Sequence, residues 1–323
     1  MKNLTRLLTA AACSAVLAAT AQAASWDMPT PYGDATFHTE NIRQFAEDVG
    51  EATGGELTIT VHSAGSLFKH PDIKDSVRKG LAPVGEVLIS RLANENPLYG
   101  VDSIPFLATG YDDAKKLYEA SRSGIEEALA GDGLMLLFAV PWPPQGLYAK
   151  QEVTSVDDMQ GLKFRAYNQA TERLAQLAGA IPTQVEAPDI PTAFSTGRVD
   201  AMITSPSTGA NSKVWDFLSH YHDMQAWLPK NMVIVNKAAF GGLPAEQQEA
   251  VRQAAAQAEE RGWQMSQTET KEQTQVLADN GITIIDPSDE LMSAMRDIGK
   301  QMTDEWLESA GDAGEAVIDA YRN

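Results

Sequence analysis

A row of aromatic and hydrogen-bonding side chains stands at the ends of segments: Trp142, Tyr148, Arg165, Tyr167, Asn168, Ser205, Thr208, Trp227 and Asn231. Arg165 is the sharpest of them. It closes Leu162-Lys163-Phe164-Arg165-Ala166, which reads as the end of a strand, where α/β folds place ligands. A guanidinium there can grip a carboxylate through two parallel hydrogen bonds. Such bonds to a charged group contribute roughly 1.5–3 kcal/mol each. Trp142 and Trp227 sit beside prolines in irregular segments, and aromatics in such loops commonly line crevices. Glu86 or Glu95 could meet an amine, and aromatic faces favour cations.

Catalytic patterns do not emerge. No Gly-rich phosphate loop, H-E-x-x-H or G-x-S-x-G is found. The five histidines include His220-Tyr221-His222, two rings at i and i+2 that share a face only on a strand. With no thiolate and no clear third ligand nearby, the sequence predicts neither a metal nor a cofactor, and no enzyme. A secreted hydrolase would need a nucleophile and a base within reach of each other. Nothing in the sequence marks such a pair.

The elements that must position these residues alternate strand and helix, an α/β pattern. Ile42, Phe45, Ala46 and Val49 repeat as one helical face, stopped by Gly54-Gly55. Leu57, Ile59 and Val61 alternate as a half-buried strand. Further strands are expected at 84–89, 134–140, 199–204, 232–236 and 282–285. Pro141-Trp142-Pro143-Pro144 breaks the pattern and reads as a crossing between lobes. Pro244 to Asn280 carries the longest helical signal, with Gly262 its single glycine. If continuous, its ~37 residues reach roughly 55 Å, enough to bridge two lobes. A break near Gly262 would give two helices instead. Two short helices are expected to finish the chain.

Lys2 and Arg6, the apolar stretch Leu7 to Ala19 and the Ala21-Gln22-Ala23 site together form a secretory signal peptide. The apolar stretch is shorter than the ~20 residues of a bilayer span. The single cysteine, Cys13, lies within it, short of where a lipid anchor would need it, so the mature chain is expected to hold no thiol. Cleavage removes two bases and no acid, which takes the formal charge from −19 to −21. So acidic a chain excludes nucleic acid as a partner, and an anion site on it must be a local basic spot. No later segment reads as a membrane span.

The chain resembles the solute receptors of TRAP (tripartite ATP-independent periplasmic) transporters, of the dicarboxylate-binding DctP type. The motifs that carry the resemblance run in order along the mature chain. They begin at Val49-Gly50-Glu51-Ala52-Thr53-Gly54-Gly55, Ala64-Gly65-Ser66-Leu67, Val77-Arg78-Lys79-Gly80 and Ile104-Pro105-Phe106-Leu107. They continue through Gly161-Leu162-Lys163-Phe164-Arg165, Ala193-Phe194-Ser195-Thr196-Gly197-Arg198-Val199-Asp200-Ala201, Val235-Asn236-Lys237 and Leu243-Pro244-Ala245-Glu246. The resemblance implies a two-lobed periplasmic binding protein with crossing strands and a long helix spanning both lobes. On this view residues 24–141 and about 232–262 form lobe I, and 142–231 and about 263–323 form lobe II. It places Arg165 on the family's carboxylate-binding arginine.

The chain departs from the family pattern at Met202-Ile203-Thr204-Ser205-Pro206 and at Gly146-Leu147-Tyr148. The second arginine that larger sugar-acid binders carry near the latter is missing, which points to a ligand with one anionic group. The expected function is a periplasmic receptor that closes on a small monocarboxylate and delivers it to membrane subunits. The candidate site is Arg165, Trp142, Tyr148, Tyr167, Asn168, Ser205, Trp227, Asn231 and Glu86. An amino-bearing or sulfonate ligand, or a sensory role, is the alternative.

Overall fold

The computed structural model describes residues 24–323, so the signal-peptide and Cys13 readings lie outside the described residues. The chain builds one lobe, crosses to a second, and returns. The first lobe contains β1 (Ala24–Pro29), α1 (Phe37–Ala52), β2 (Leu57–His62), α2 (His70–Arg78), β3 (Val84–Leu88), α3 (Tyr111–Gly131) and β4 (Leu134–Pro141). The second holds β5 (Gly146–Ala149), β6 (Lys163–Ala166), α4 (Gln169–Leu177), β7 (Ile181–Gln184), α5 (Ile190–Ser195), β8 (Ala201–Thr204), α6 (Pro206–Asn211) and β9 (His220–His222). The return comprises β10 (Lys230–Asn236), α7 (Lys237–Gly241), α8 (Ala245–Asp279), β11 (Thr283–Ile285) and α9 (Asp289–Arg322).

In lobe I, β10 lies between β3 and β4 and is antiparallel to both, while β1 and β2 pair in parallel. In lobe II the strand order is β11-β9-β5-β8-β6-β7. There β6 runs parallel to β7 and β8, so their C-terminal ends share one edge of the sheet. Strands β5, β7 and β9 were not apparent from the sequence. At three or four residues each they are too short for an alternation to register.

The expected long helix is one continuous element, α8, of 35 residues and about 52 Å. It does not break at Gly262. Val251, Ala254, Ala255, Ala258, Gly262 and Ser266 are all buried and form a single stripe of mostly small residues against α1 and β4. Asn41 Nδ2 donates to Ala258 O at 2.9 Å across this seam. A Cβ on Gly262 would stand 2.4 Å from Val140 Cγ2 and 2.7 Å from Asn41 Nδ2. The glycine is therefore a close-packing residue, and helix continuity survives its poor propensity because the contact on either side is extensive. Further on, α8 meets α6 and β11, and Leu277 joins the core of lobe II.

The C-terminal run α9 is longer than the two short helices expected, but it does change direction, at Gly311 (φ 55°). Its last turns pack on the first lobe, where Trp306, Val317 and Ile318 cluster with Leu98, Val101, Ile104 and Leu117. No helix among the described residues is long and apolar enough to cross a membrane.

Candidate functional site

Two segments carry the chain between the lobes side by side, 141–145 outward and 226–229 on the return. Trp142 N–H donates to Pro229 O (2.8 Å), Gln145 N–H to Trp227 O (3.0 Å) and Ala226 N–H to Gln145 O (2.9 Å). Pro141, Pro143, Pro144 and Pro229 have no N–H to add, so the ladder stays sparse at the joint. Against this joint the lobes enclose a cavity of about 40 Å³, on a scale where one water needs roughly 10–15 Å³. Its wall includes Tyr32, His70, Trp142, Gln145, Arg165, Tyr167, Glu186, Thr204 and Thr208.

Lobe I contributes ring faces. Tyr32 and Trp142 pack edge to face with centroids 5.0 Å apart. Both point their polar atoms away into Asn231: Oδ1 accepts from Tyr32 Oη (3.2 Å) and Trp142 Nε1 (2.9 Å). Asn231 Nδ2 in turn donates to Glu86 Oε1 (3.1 Å), and Thr30 Oγ1 donates to Glu86 Oε2 (2.5 Å). Burial pushes the Glu86 carboxyl up to about 7 against the hydrogen bonds from Thr30 and Asn231. His38 Nδ1 lies 3.6 Å from Glu86 Oε1, and burial holds that imidazole far below its ordinary value.

Lobe II contributes the ions. Arg165 stands at the C-terminal end of β6, 3% exposed, with Nε donating to Val185 O at 2.9 Å and the guanidinium carbon 4.9 Å from the Tyr167 ring centre. Burial draws it down to about 10, which leaves it charged at neutral pH. No carboxylate among the described residues forms an ion pair with it within 4.0 Å. Glu186 follows β7, the strand beside β6. Burial opposes its ionisation, but the His70 hydrogen bond and the charges of His70, Arg91 and Arg165 outweigh that and hold its carboxyl below the ordinary range.

The lobes are closed on each other. Arg91 Nη2 reaches Glu186 Oε1 at 2.7 Å, Arg91 Nη1 donates to Tyr167 O at 3.1 Å, and His70 Nδ1 meets Glu186 Oε2 at 3.2 Å. His70 Nε2 accepts from Leu88 N–H at 3.2 Å, so the proton sits on Nδ1 and faces Glu186. Asn168 caps α4 with Oδ1 and donates Nδ2 to Ser90 Oγ (2.8 Å) across the cleft.

Of the residues singled out from the sequence, Arg165, Trp142, Tyr167 and Thr208 line the cavity. Trp227, Asn231 and Glu86 stand behind that wall, with Trp227 Nε1 donating to Tyr167 Oη at 3.2 Å. Asn168 lies in the interlobe contact. Ser205 is buried as the cap of α6, and Tyr148 lies in the lobe II core, its ring 4.5 Å from Tyr221 and its hydroxyl on Ser205 O. Glu95 is taken up by Lys74. Both ring nitrogens of His222 are engaged, Nε2 by Val153 N–H and Nδ1 by Leu147 O.

Sequence reasoning missed Tyr32, His70, Gln145 and Glu186. Tyr32 follows the C-terminal end of β1, a position that could have flagged it, whereas Glu186 follows β7, a strand not apparent from the sequence. His70 and Gln145 carried no such mark.

The profile of DctP, bacterial extracellular solute-binding protein family 7, matches residues 32–309. The chain belongs to this family. Among solved structures, two Bordetella pertussis extracytoplasmic solute receptors of the DctP type, DctP6 and DctP7, superpose with TM-scores of 0.91 and 0.92 at 46% and 44% identity. The match covers 92% and 93% of this chain and 99% and 100% of theirs. A marine metagenome TRAP solute-binding protein aligns at 43% identity and TM-score 0.91, over 93% of this chain and 99% of that one. All three are described as binding pyroglutamate. As a family 7 receptor, the chain has the two-lobed architecture that its motifs implied, and its cavity lies where the crossing segments join the lobes.

Proposed function

We propose that this receptor closes on a small cyclic monocarboxylate of the pyroglutamate class, its carboxylate on Arg165 and its ring against Tyr32 and Trp142. One observation carries the reading: a buried, charged guanidinium on the wall of a small interlobe cavity has no carboxylate ion-pair partner among the described residues. The size of the cavity favours a ligand of a few heavy atoms. The ring faces of lobe I suit an apolar ring rather than a polyol, because their polar atoms are turned away and engaged. Similarity to three pyroglutamate receptors at 43–46% identity supports the same class. The two acids expected to meet an amine are not on the wall, since Glu86 sits behind it and Glu95 is paired with Lys74.

A ligand that touches both lobes binds the closed state better and raises its population. The closed form then presents a surface that the empty form lacks. We assign that surface to the membrane subunits of a TRAP transporter, with the receptor working in the periplasm after export. The test is titration calorimetry of ligand-free mature protein with pyroglutamate. Tight binding that falls at least a hundredfold in Arg165→Ala supports the assignment, and undiminished affinity in that variant defeats it.

A further inference from the structure

The cavity wall can be sorted by which polar atoms are already satisfied within the protein. Tyr167 Oη donates to Gln145 Oε1 (3.1 Å) and accepts from Trp227 Nε1. Gln145 Nε2 donates to Pro143 O (2.9 Å). Tyr32 and Trp142 are committed to Asn231. Among the charged groups of the wall, two keep free capacity: the terminal amino groups of Arg165, which can only donate, and Glu186, which when ionised can only accept. Glu186 Oε2 accepts from His70 and Oε1 is ion-paired with Arg91, and a carboxylate oxygen has room for a further donor.

The backbone fixes how far apart these two groups stand. Arg165 lies in β6, and Glu186 stands two residues past the end of β7, the parallel strand about 4.8 Å away. Val185 N–H donates to Ala166 O (3.0 Å) and Arg165 Nε to Val185 O, so the guanidinium is anchored one residue from Glu186. The two do not pair with each other, because lobe I holds Glu186 through Arg91 and His70. One compact ligand therefore meets a donor and an acceptor separated by only a few bonds.

We infer that Glu186 is the specificity residue of this site, accepting an N–H carried on the nitrogen next to the ligand's carboxylate-bearing carbon. The ligand class narrows to carboxylates with an α-nitrogen that keeps a hydrogen, as in a lactam or an N-acylated amino acid. An isosteric carboxylate without that hydrogen sets a CH2 against a half-buried carboxylate whose remaining acceptor capacity then goes unmet, and a site built to hydrogen-bond an N–H discriminates against such an analogue. Because Arg91 and His70 come from lobe I, Glu186 takes up this orientation as the lobes close. This rests on the carboxylate reading of Arg165.

The experiment compares pyroglutamate with 3-oxocyclopentanecarboxylate, in which CH2 replaces the ring N–H, by calorimetry on ligand-free protein. Wild type should prefer the lactam by about a hundredfold or more, and Glu186→Gln should reduce that ratio to below about tenfold. Arg91→Ala, which removes one of the two lobe I groups that orient Glu186, should weaken both ligands and lower the ratio in part. Equal binding of both ligands by wild type, or an equal loss of both in Glu186→Gln, overturns the assignment and leaves Glu186 as a latch alone. If wild type binds neither ligand, the carboxylate reading fails and this inference fails with it.

Discussion

Lobe I and lobe II bury polar side chains beside the same cavity, with opposite results. In lobe I the chain Glu86, Asn231, Tyr32 and Trp142 closes on itself, so that only ring faces reach the cavity. In lobe II, Arg165 has one hydrogen bond to the backbone and no ion pair among the described residues, and Glu186 has capacity left over. The first arrangement is structural and the second is poised for a ligand. Burial alone does not separate them, since Glu86 at 1% and Arg165 at 3% exposure are alike in that respect. What separates them is whether the protein itself supplies the partners.

The contrast breaks most visibly at Arg165. Arg165→Met should abolish ligand binding by about a thousandfold or more, through loss of two charge-assisted bonds, yet raise the melting temperature of the ligand-free protein. Calorimetry and a thermal melt on the same sample check both halves, and a lowered ligand-free melting temperature would show that Arg165 also stabilises the fold. Asn231→Leu is the matching change in lobe I. It orphans Tyr32 Oη and Trp142 Nε1 and takes a donor from Glu86, so it should destabilise the ligand-free protein by about 2–4 kcal/mol in urea unfolding.

Arg91→Ala sharpens the comparison from across the cleft. It removes a partly buried ion pair between the lobes, worth about 1 kcal/mol, and should weaken ligand affinity about tenfold without changing which ligand is preferred. Small-angle scattering of the ligand-free variant should show a larger radius of gyration than wild type.

The smallest effect concerns pH. Glu86 is raised from its ordinary 4.5 to about 7 by burial, so between those values the folded state keeps a proton that the unfolded chain has released. Stability from this group is present at low pH and is lost as pH rises through that window. Asp102, Asp223 and Glu269 are also raised by burial and share the sign, so the readout is a difference between two proteins. From pH 4.5 to 7 the wild-type melting temperature should fall more than that of Glu86→Gln.

Much of this was legible in the sequence. The α/β alternation, the crossing at Pro141 to Pro144, the bridging helix and Arg165 at a strand end all follow from periodicity and from where prolines interrupt it. Tyr148 and Ser205 illustrate what periodicity cannot decide. Each has a site-like chemistry and stands at the end of a segment, but in lobe II they bond to each other and to neighbours within the core. Glu186 shows the reverse. Nothing in Gln184-Val185-Glu186-Ala187 marks it among so many acids, because its role depends on Arg91 and His70, more than ninety residues away in the chain.

The helix α8 runs unbroken past Gly262 while the two irregular crossing segments span the same gap, so these three ties run side by side between the lobes. In mechanical terms a single tether permits swivelling about any direction, whereas three ties side by side suppress twist and sideways slip and leave one soft bending coordinate. Occupancy of the cavity is then encoded in a single angle. A partner that grips one point on each lobe could read that angle as a distance, with no need to sense the solute itself.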